Sequence, residues 1–288
     1  MCHVSHHVPP LTTRPARTSH PVAAAAAAAA ADVAVTSTTR PAVVILPGLG
    51  NCSEDYEPFA AELEARGFSA TTARVARPDW LRNAAGLTSA AYWRGTLEPR
   101  PTVDWYLERI AAAVIEAKAA SGSSRVTICA HSAGGWMARV YLKDFGVTDV
   151  ASFVSLGSPL NAVPKGVRGV VDQTRGILTY VEANCAPADE LGIPVTCIAG
   201  KWLEGTETFS GVDEAGRFLV GQGYKQVCGS AAAWGDGITP VAAAHLQGAE
   251  NVTLEGVFHS PVGSSPSRPW YGTPEVLDQW VDKLRSAA

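Results

Sequence analysis

Charge is scarce in this chain: Lys, Arg, Asp and Glu make up 17% of its 288 residues, against 47% hydrophobic ones. The net charge of −4 gives no electrostatic pointer to a nucleic-acid function. Low charge with high apolar content argues against a disordered chain. Long apolar runs are absent too. No stretch of eighteen strongly apolar residues occurs, so no transmembrane helix is expected. The polyalanine at 23–31 is too short and too weakly apolar to be one. Six cysteines are too few for a disulfide scaffold, and no Cys-x-x-Cys pair points to zinc.

Residues 1–31 lack Asp and Glu altogether. They carry Arg14, Arg17, four of the seven histidines (His3, His6, His7, His20) and the polyalanine, with no core periodicity. An acid-free start rich in Arg, Ser and Ala reads as a disordered, transit-like targeting segment over 1–40, with a plain disordered tail as the alternative. The plastid stroma is the expected compartment, with the mitochondrion or the secretory pathway as alternatives. The remainder, 41–288, fits one α/β domain.

In that body, short apolar runs alternate with helical patterns. Residues 42–46, 68–76, 125–130, 150–156, 193–199 and 251–257 read as strands. One helix is expected from an N-cap at Ser53 to Arg66, and another after a cap at Thr102, with Val103, Leu107, Ile110 and Val114 on one face. A third covers about 134–145. A last one starts at Thr273-Pro274, with Leu277, Trp280, Val281 and Leu284 facing inward. The alternation predicts an α/β class with a mostly parallel central sheet and helices on both faces. Residues 77–101 and 160–192 are too long for ordinary loops and read as lid-like insertions.

The most informative stretch is 125–137, RVTICAHSAGGWM. A β-branched strand runs into Ala130-His131-Ser132-Ala133-Gly134, and a helix follows. Small residues two before and two after a serine let the chain turn sharply and hold the hydroxyl out at the strand end. The same turn aims the Ala133 N–H at the point where an oxyanion would form. Pro47-Gly48-Leu49-Gly50 follows the first strand, and Leu49 N–H is the second expected donor.

Beyond residue 40 only His131, His245 and His259 remain as candidate bases. His131 adjoins Ser132, so its ring should point away from the hydroxyl, and His245 falls in a helical stretch. His259 follows the last strand, where sites on open parallel sheets collect, and is favoured. The acid is expected between Ser132 and His259. Asp236, in the turn Gly235-Asp236-Gly237, is favoured over Asp213, Glu204 and Asp189, and its flexibility suits a carboxylate that must reach an imidazole. Trp80, Tyr92 and Trp93 in the first insertion, with the 160–192 insertion, are expected to shape an apolar acyl pocket.

Taken together, the PGLGN loop at 47–51, AHSAGG at 130–135, GSPL at 157–160, GDGITP at 235–240 and FHS at 258–260 resemble α/β-hydrolase-fold serine hydrolases. More narrowly they resemble the lipase-like group that includes GPI inositol-deacylase-like proteins. Residues 78–86 and 92–106 are similar to uncharacterised hydrolases of this fold in plants, algae and cyanobacteria. The resemblance runs over about residues 42–288. It implies the α/β-hydrolase fold, with Ser132 as nucleophile, His259 as base and Asp236 as acid. Ala130 departs from the glycine usual at its position. The membrane spans of the eukaryotic GPI deacylases are missing from this sequence.

The expected activity is hydrolysis of a hydrophobic acyl ester, with no metal and no organic cofactor. The expected partner is a small-molecule ester, with peripheral lipid contact and oligomeric state left open. A thioesterase or acyltransferase, a GPI inositol-deacylase-like activity, and a non-catalytic binding module of the same fold stay as alternatives. Two glycosylation acceptors, at Asn51 and Asn251, sit beside the oxyanion loop and at the start of a strand, where a glycan would obstruct the site or the sheet. Free thiols are expected in the folded body.

Overall fold

A computed structural model of the protein describes residues 39–285, so residues 1–38 of the expected targeting segment lie outside the described residues. In chain order the strands are β1 (Ala42–Leu46), β2 (Ser69–Thr72), β3 (Val126–His131), β4 (Val150–Leu156), β5 (Val195–Lys201), β6 (Leu203–Glu204), β7 (Trp234–Gly235) and β8 (Glu250–Glu255). The helices are α1 (Glu57–Ala65), α2 (Ala90–Arg94), α3 (Asp104–Ser121), α4 (Ala133–Phe145), α5 (Ile177–Asn184), α6 (Ala215–Cys228), α7 (Val241–Ala244) and α8 (Pro274–Leu277). Six strands form one parallel sheet in the order β2-β1-β3-β4-β5-β8, and β6 pairs with β7 in a small antiparallel ribbon.

The unbroken apolar run of β1 reflects burial on both faces. Ala42, Val44 and Leu46 pack into a core with Ile110 and Val114 of α3 and Met137 of α4. Val43 and Ile45 pack into a second core with Phe59 and Leu63 of α1, Trp270 and Trp280. Helix α4 lies almost wholly inside, with all ten residues from Ala133 to Leu142 buried. That rigid seat carries the chain directly from β3 into Ser132.

Local contacts changed four expectations. Ser53 does not cap a helix. Its hydroxyl accepts from Val75 N–H at 2.8 Å and donates to Ala73 O at 2.9 Å, so the helix proper begins at Glu57 after a 3-10 turn. Thr102 does not cap α3 either. A turn closed by Val103 N–H on Pro99 O occupies that place, and α3 starts at Asp104. The C-terminal helix is two short pieces, Pro274–Leu277 and a 3-10 turn Val281–Leu284. Buried Trp280 interrupts them with its indole donating to Tyr271 O. Strand β2 covers only Ser69–Thr72 of the expected 68–76, because the chain then leaves to be held by Ser53.

The insertion at 77–101 carries a 3-10 stretch, Arg77–Thr88, and α2, and the insertion at 160–192 carries α5 and a 3-10 turn, Ala188–Glu190. A third excursion, from β6 through α6 to β7, was not anticipated. Strand β8 lies at the sheet edge with Asn251 exposed, so the sheet-packing objection to a glycan there does not hold. Its amide instead holds Leu246 from both sides. Cys52, Cys129, Cys185, Cys197 and Cys228 are unpaired. No helix among the described residues is long and apolar enough to cross a membrane.

Candidate active site

Four chain turns meet at the C-terminal edge of the sheet: the loop after β1, the β3–α4 elbow, the turn after β7, and the loop after β8. Ser132 sits at the elbow with φ 52° and ψ −127°, a backbone conformation that costs a non-glycine residue about 1–3 kcal/mol. It is held there because Ser132 N–H bonds Leu156 O and α4 begins at the next residue. The positive end of the α4 dipole therefore faces the hydroxyl.

Ser132 Oγ lies 3.0 Å from His259 Nε2, and His259 Nδ1 lies 2.7 Å from Asp236 Oδ2. A carboxylate only accepts, so His259 carries its proton on Nδ1 and Nε2 accepts from the serine hydroxyl. The backbone reinforces this link, since His259 N–H donates to Asp236 O at 3.0 Å.

Asp236 is fully buried. Oδ1 accepts from the N–H groups of Ile238 and Thr239 at 3.0 and 2.7 Å, and Oδ2 accepts from His259 and from Tyr271 Oη, the latter at 2.7 Å. The carboxylate is thus fixed rather than flexible, contrary to the expectation from its flanking glycines. Burial, then the charge of Asp236, holds the Tyr271 phenol well above its ordinary value, so it stays a donor. The neighbouring Gly157 has φ 54°, and a Cβ there would sit 2.5 Å from Asp236 Oδ2. Only glycine fits at that approach.

The loop after β1 is pinned by three ring donors or acceptors. Tyr106 Oη donates to Pro47 O at 2.6 Å, Trp80 Nε1 donates to Asn51 O at 2.7 Å, and Tyr56 Oη accepts from Gly48 N–H at 2.8 Å. A Cβ on Gly48 would meet Ser132 Cβ at 2.8 Å, so this glycine is what lets the loop touch the elbow. Gly48 N–H is already used, whereas the N–H groups of Leu49 and Ala133 bond no acceptor among the described residues.

A family model described as the alpha/beta hydrolase fold matches residues 41–182. The protein has the α/β-hydrolase fold. The match takes in Ser132 and both oxyanion candidates but ends before Asp236 and His259, whose placement rests on the hydrogen bonds above. Among solved structures, the mature Bacillus licheniformis lipase BlEst2 is similar, with a TM-score of 0.52 at 15% identity, over 86% of this chain and 93% of that one. The poly(3-hydroxybutyrate) depolymerase LpqC of Bordetella parapertussis aligns with a TM-score of 0.46 at 16% identity, over 86% of this chain and 82% of that one. The comparison with curated protein sequences finds no match.

In this α/β-hydrolase fold a cavity of about 410 Å³ opens on Ser132, Ala133 and Leu49. Trp80, Tyr92, Trp136, Leu97, Ile177 and Leu178 give it a mainly apolar wall. Trp80 and Tyr92 line this cavity, and so does Thr102. Trp93 does not. Its indole turns away to donate to Leu87 O at 3.0 Å, and it is 67% exposed. The rival site residues lie elsewhere: His245 Nε2 faces Thr253 Oγ1, and Glu204 pairs with Arg217. Asp213 and Asp189 make no contact with His259 among the described hydrogen bonds and ion pairs.

Three buried residues beside the site carried no local sequence signal: Tyr56, Tyr271 and the ring contacts of His131. Tyr56 and Tyr271 have the same wiring. Each accepts from a glycine N–H (Gly48, Gly200) and donates onward, to His131 or to Asp236. His131 does point away from Ser132 Oγ, with Nδ1 2.6 Å from Tyr56 Oη and Nε2 2.9 Å from His259 O.

Proposed function

We propose that the protein is a serine hydrolase that cleaves a carboxylic ester with an apolar acyl group. The observation that carries this reading is the chain Ser132 Oγ, His259, Asp236, with links of 3.0 and 2.7 Å, closed beneath an apolar cavity. The fold-level likeness to a lipase adds support.

Ser132 Oγ attacks the ester carbonyl as His259 Nε2 takes the hydroxyl proton, and Asp236 steadies the imidazolium that forms. The N–H groups of Leu49 and Ala133, with the α4 dipole, stabilise the oxyanion of the tetrahedral intermediate. Collapse expels the alcohol, which takes the proton from His259. Water then attacks the acyl-enzyme with His259 again as base, releasing the acid and restoring Ser132. The acyl chain occupies the cavity walled by Trp80, Tyr92 and Trp136. Its size, about 410 Å³, suits one drug-sized apolar group.

The test pairs a fluorophosphonate probe with turnover of p-nitrophenyl butyrate. Wild type should label and turn over. Ser132→Ala should do neither while keeping its far-UV circular dichroism, with kcat down on the order of 10⁶-fold. Unlabelled wild-type protein, or label that persists in Ser132→Ala, would sink the proposal.

A further inference from the structure

His131 immediately precedes Ser132, yet its side chain belongs to neither the nucleophile nor the cavity. It is 1% exposed, and burial, then the nearby positive charge available to His259, pushes its pKa well below the ordinary value. It is therefore neutral and carries one ring proton. Nε2 faces the His259 carbonyl, which can only accept, so that proton is on Nε2. Nδ1 is then an acceptor, and Tyr56 Oη must donate to it. Burial keeps Tyr56 protonated by raising its pKa. Tyr56 Oη in turn accepts from Gly48 N–H. Every donor in this line has its acceptor: Gly48 N–H to Tyr56, Tyr56 O–H to His131, His131 Nε2–H to the His259 carbonyl.

The line joins two loops that share no direct hydrogen bond among the described residues. At one end is the loop whose next N–H is Leu49, the second oxyanion donor. At the other is the backbone of the base. His259 is held on its other side by Asp236, through N–H to Asp236 O and ring to carboxylate. Packing restricts the line further. The His131 ring lies 4.7 Å from the His259 ring, and Trp270 meets both His131 and Tyr56 edge-on at 5.7 and 5.9 Å.

The geometry points to His131 and Tyr56 as a positioning pair that sets the Leu49 oxyanion donor and the His259 base in register with each other. This rests on the reading of Ser132, His259 and Leu49 given above. Neither member touches the reacting atoms. Their loss should therefore lower kcat rather than weaken substrate binding, and because they form one chain their losses should overlap.

The experiment uses the full chain, p-nitrophenyl butyrate, and fluorophosphonate titration so that kcat is counted per reactive Ser132. Tyr56→Phe keeps the ring against Trp270 and removes only the hydroxyl. His131→Leu removes both ring bonds, and His131→Gln keeps a donor that can reach the His259 carbonyl. Tyr56→Phe and His131→Leu should each lower kcat, by up to the order of 10²-fold, with KM within about twofold. The double variant should lose no more than the worse single one, and His131→Gln should recover part of the loss. Reactive Tyr56→Phe and His131→Leu enzymes with kcat within about threefold of wild type would overturn the pair, as would losses that multiply. Ser132→Ala run alongside separates the two ideas: activity surviving in it would refute the hydrolase reading, whereas an inert Ser132→Ala with fully active pair variants would refute only the pair.

Discussion

Among the described residues, two that are not glycine have positive φ, Ser132 at 52° and Arg175 at 56°, and both line the cavity. The floor around Ser132 is a closed set of hydrogen bonds: four donors on Asp236, both ring nitrogens of His131 and of His259 engaged, and two buried tyrosines behind them. The cap around Arg175 is held more sparsely. Arg175 O accepts from Leu97 N–H, its Nε donates to Tyr92 O, and its guanidinium lies 4.8 Å from the Tyr92 ring centre. That one residue ties the two insertions together, while Leu81, Trp93 and Val171 of the same segments remain exposed. The strain at Ser132 is secured by the sheet and by α4, and the strain at Arg175 by two loops. A change in the floor should therefore act on the chemical step, and a change in the cap on which ester is accepted.

The sharpest break of that contrast is in the floor. Asp236→Asn keeps the size of the side chain but places an amide among four donors, so His259 loses the partner that sets its tautomer. The expected fall in kcat is on the order of 10⁴-fold. Steady-state turnover of p-nitrophenyl butyrate measures it. A variant within tenfold of wild type would move the acid role away from Asp236.

The cap should respond more mildly, and unevenly. Leu178 is buried in the cavity wall, whereas Trp93 is in the same cap but faces outward. Leu178→Ala should change kcat/KM about 10-fold, with a shift in acyl-chain preference, because it removes wall contacts worth one or two methylenes. Trp93→Ala should stay within about twofold across the same panel of p-nitrophenyl esters. Equal effects of the two would mean that the cavity does not hold the acyl group.

The floor and the cap also differ in how far they can be read from sequence. The strand-Ser-helix pattern at 125–137, the shortage of histidines beyond the first 40 residues and the glycine-flanked Asp236 are local signals, and the structure brings those three side chains together. The alternation of apolar runs likewise carried the parallel sheet, because strands buried on both faces leave no other pattern. Tyr56 and Tyr271 gave no such signal. Each lies in an ordinary-looking stretch and acquires its role only when Gly48 N–H or Gly200 N–H is folded onto its hydroxyl. Ser53 and Thr102 have helix-cap chemistry, yet long-range partners claimed the first and a proline-led turn displaced the second. In the cap, Tyr92 and Trp93 are adjacent aromatics in a five-residue helix, and sequence alone does not say which one turns inward.

The smallest effect expected is one of acidity on stability, and it too belongs to the floor. His131 is buried and neutral, with its pKa held well below the ordinary 6.5. Between that ordinary value and the lowered folded one, the unfolded chain binds a proton that the folded chain does not. Stability is therefore complete above about pH 6.5 and falls as pH drops below it, by at most about 1.4 kcal/mol per pH unit for one histidine. His245 is lowered by burial as well and contributes with the same sign, so His245→Asn is the reference background. Urea unfolding of that reference at about pH 7.5 and about pH 5.5 should show the loss, and adding His131→Gln should reduce it. The cap has no histidine, so variants there should leave the slope unchanged. If the slope persists undiminished with His131→Gln in place, the neutral buried histidine assigned to the floor is wrong.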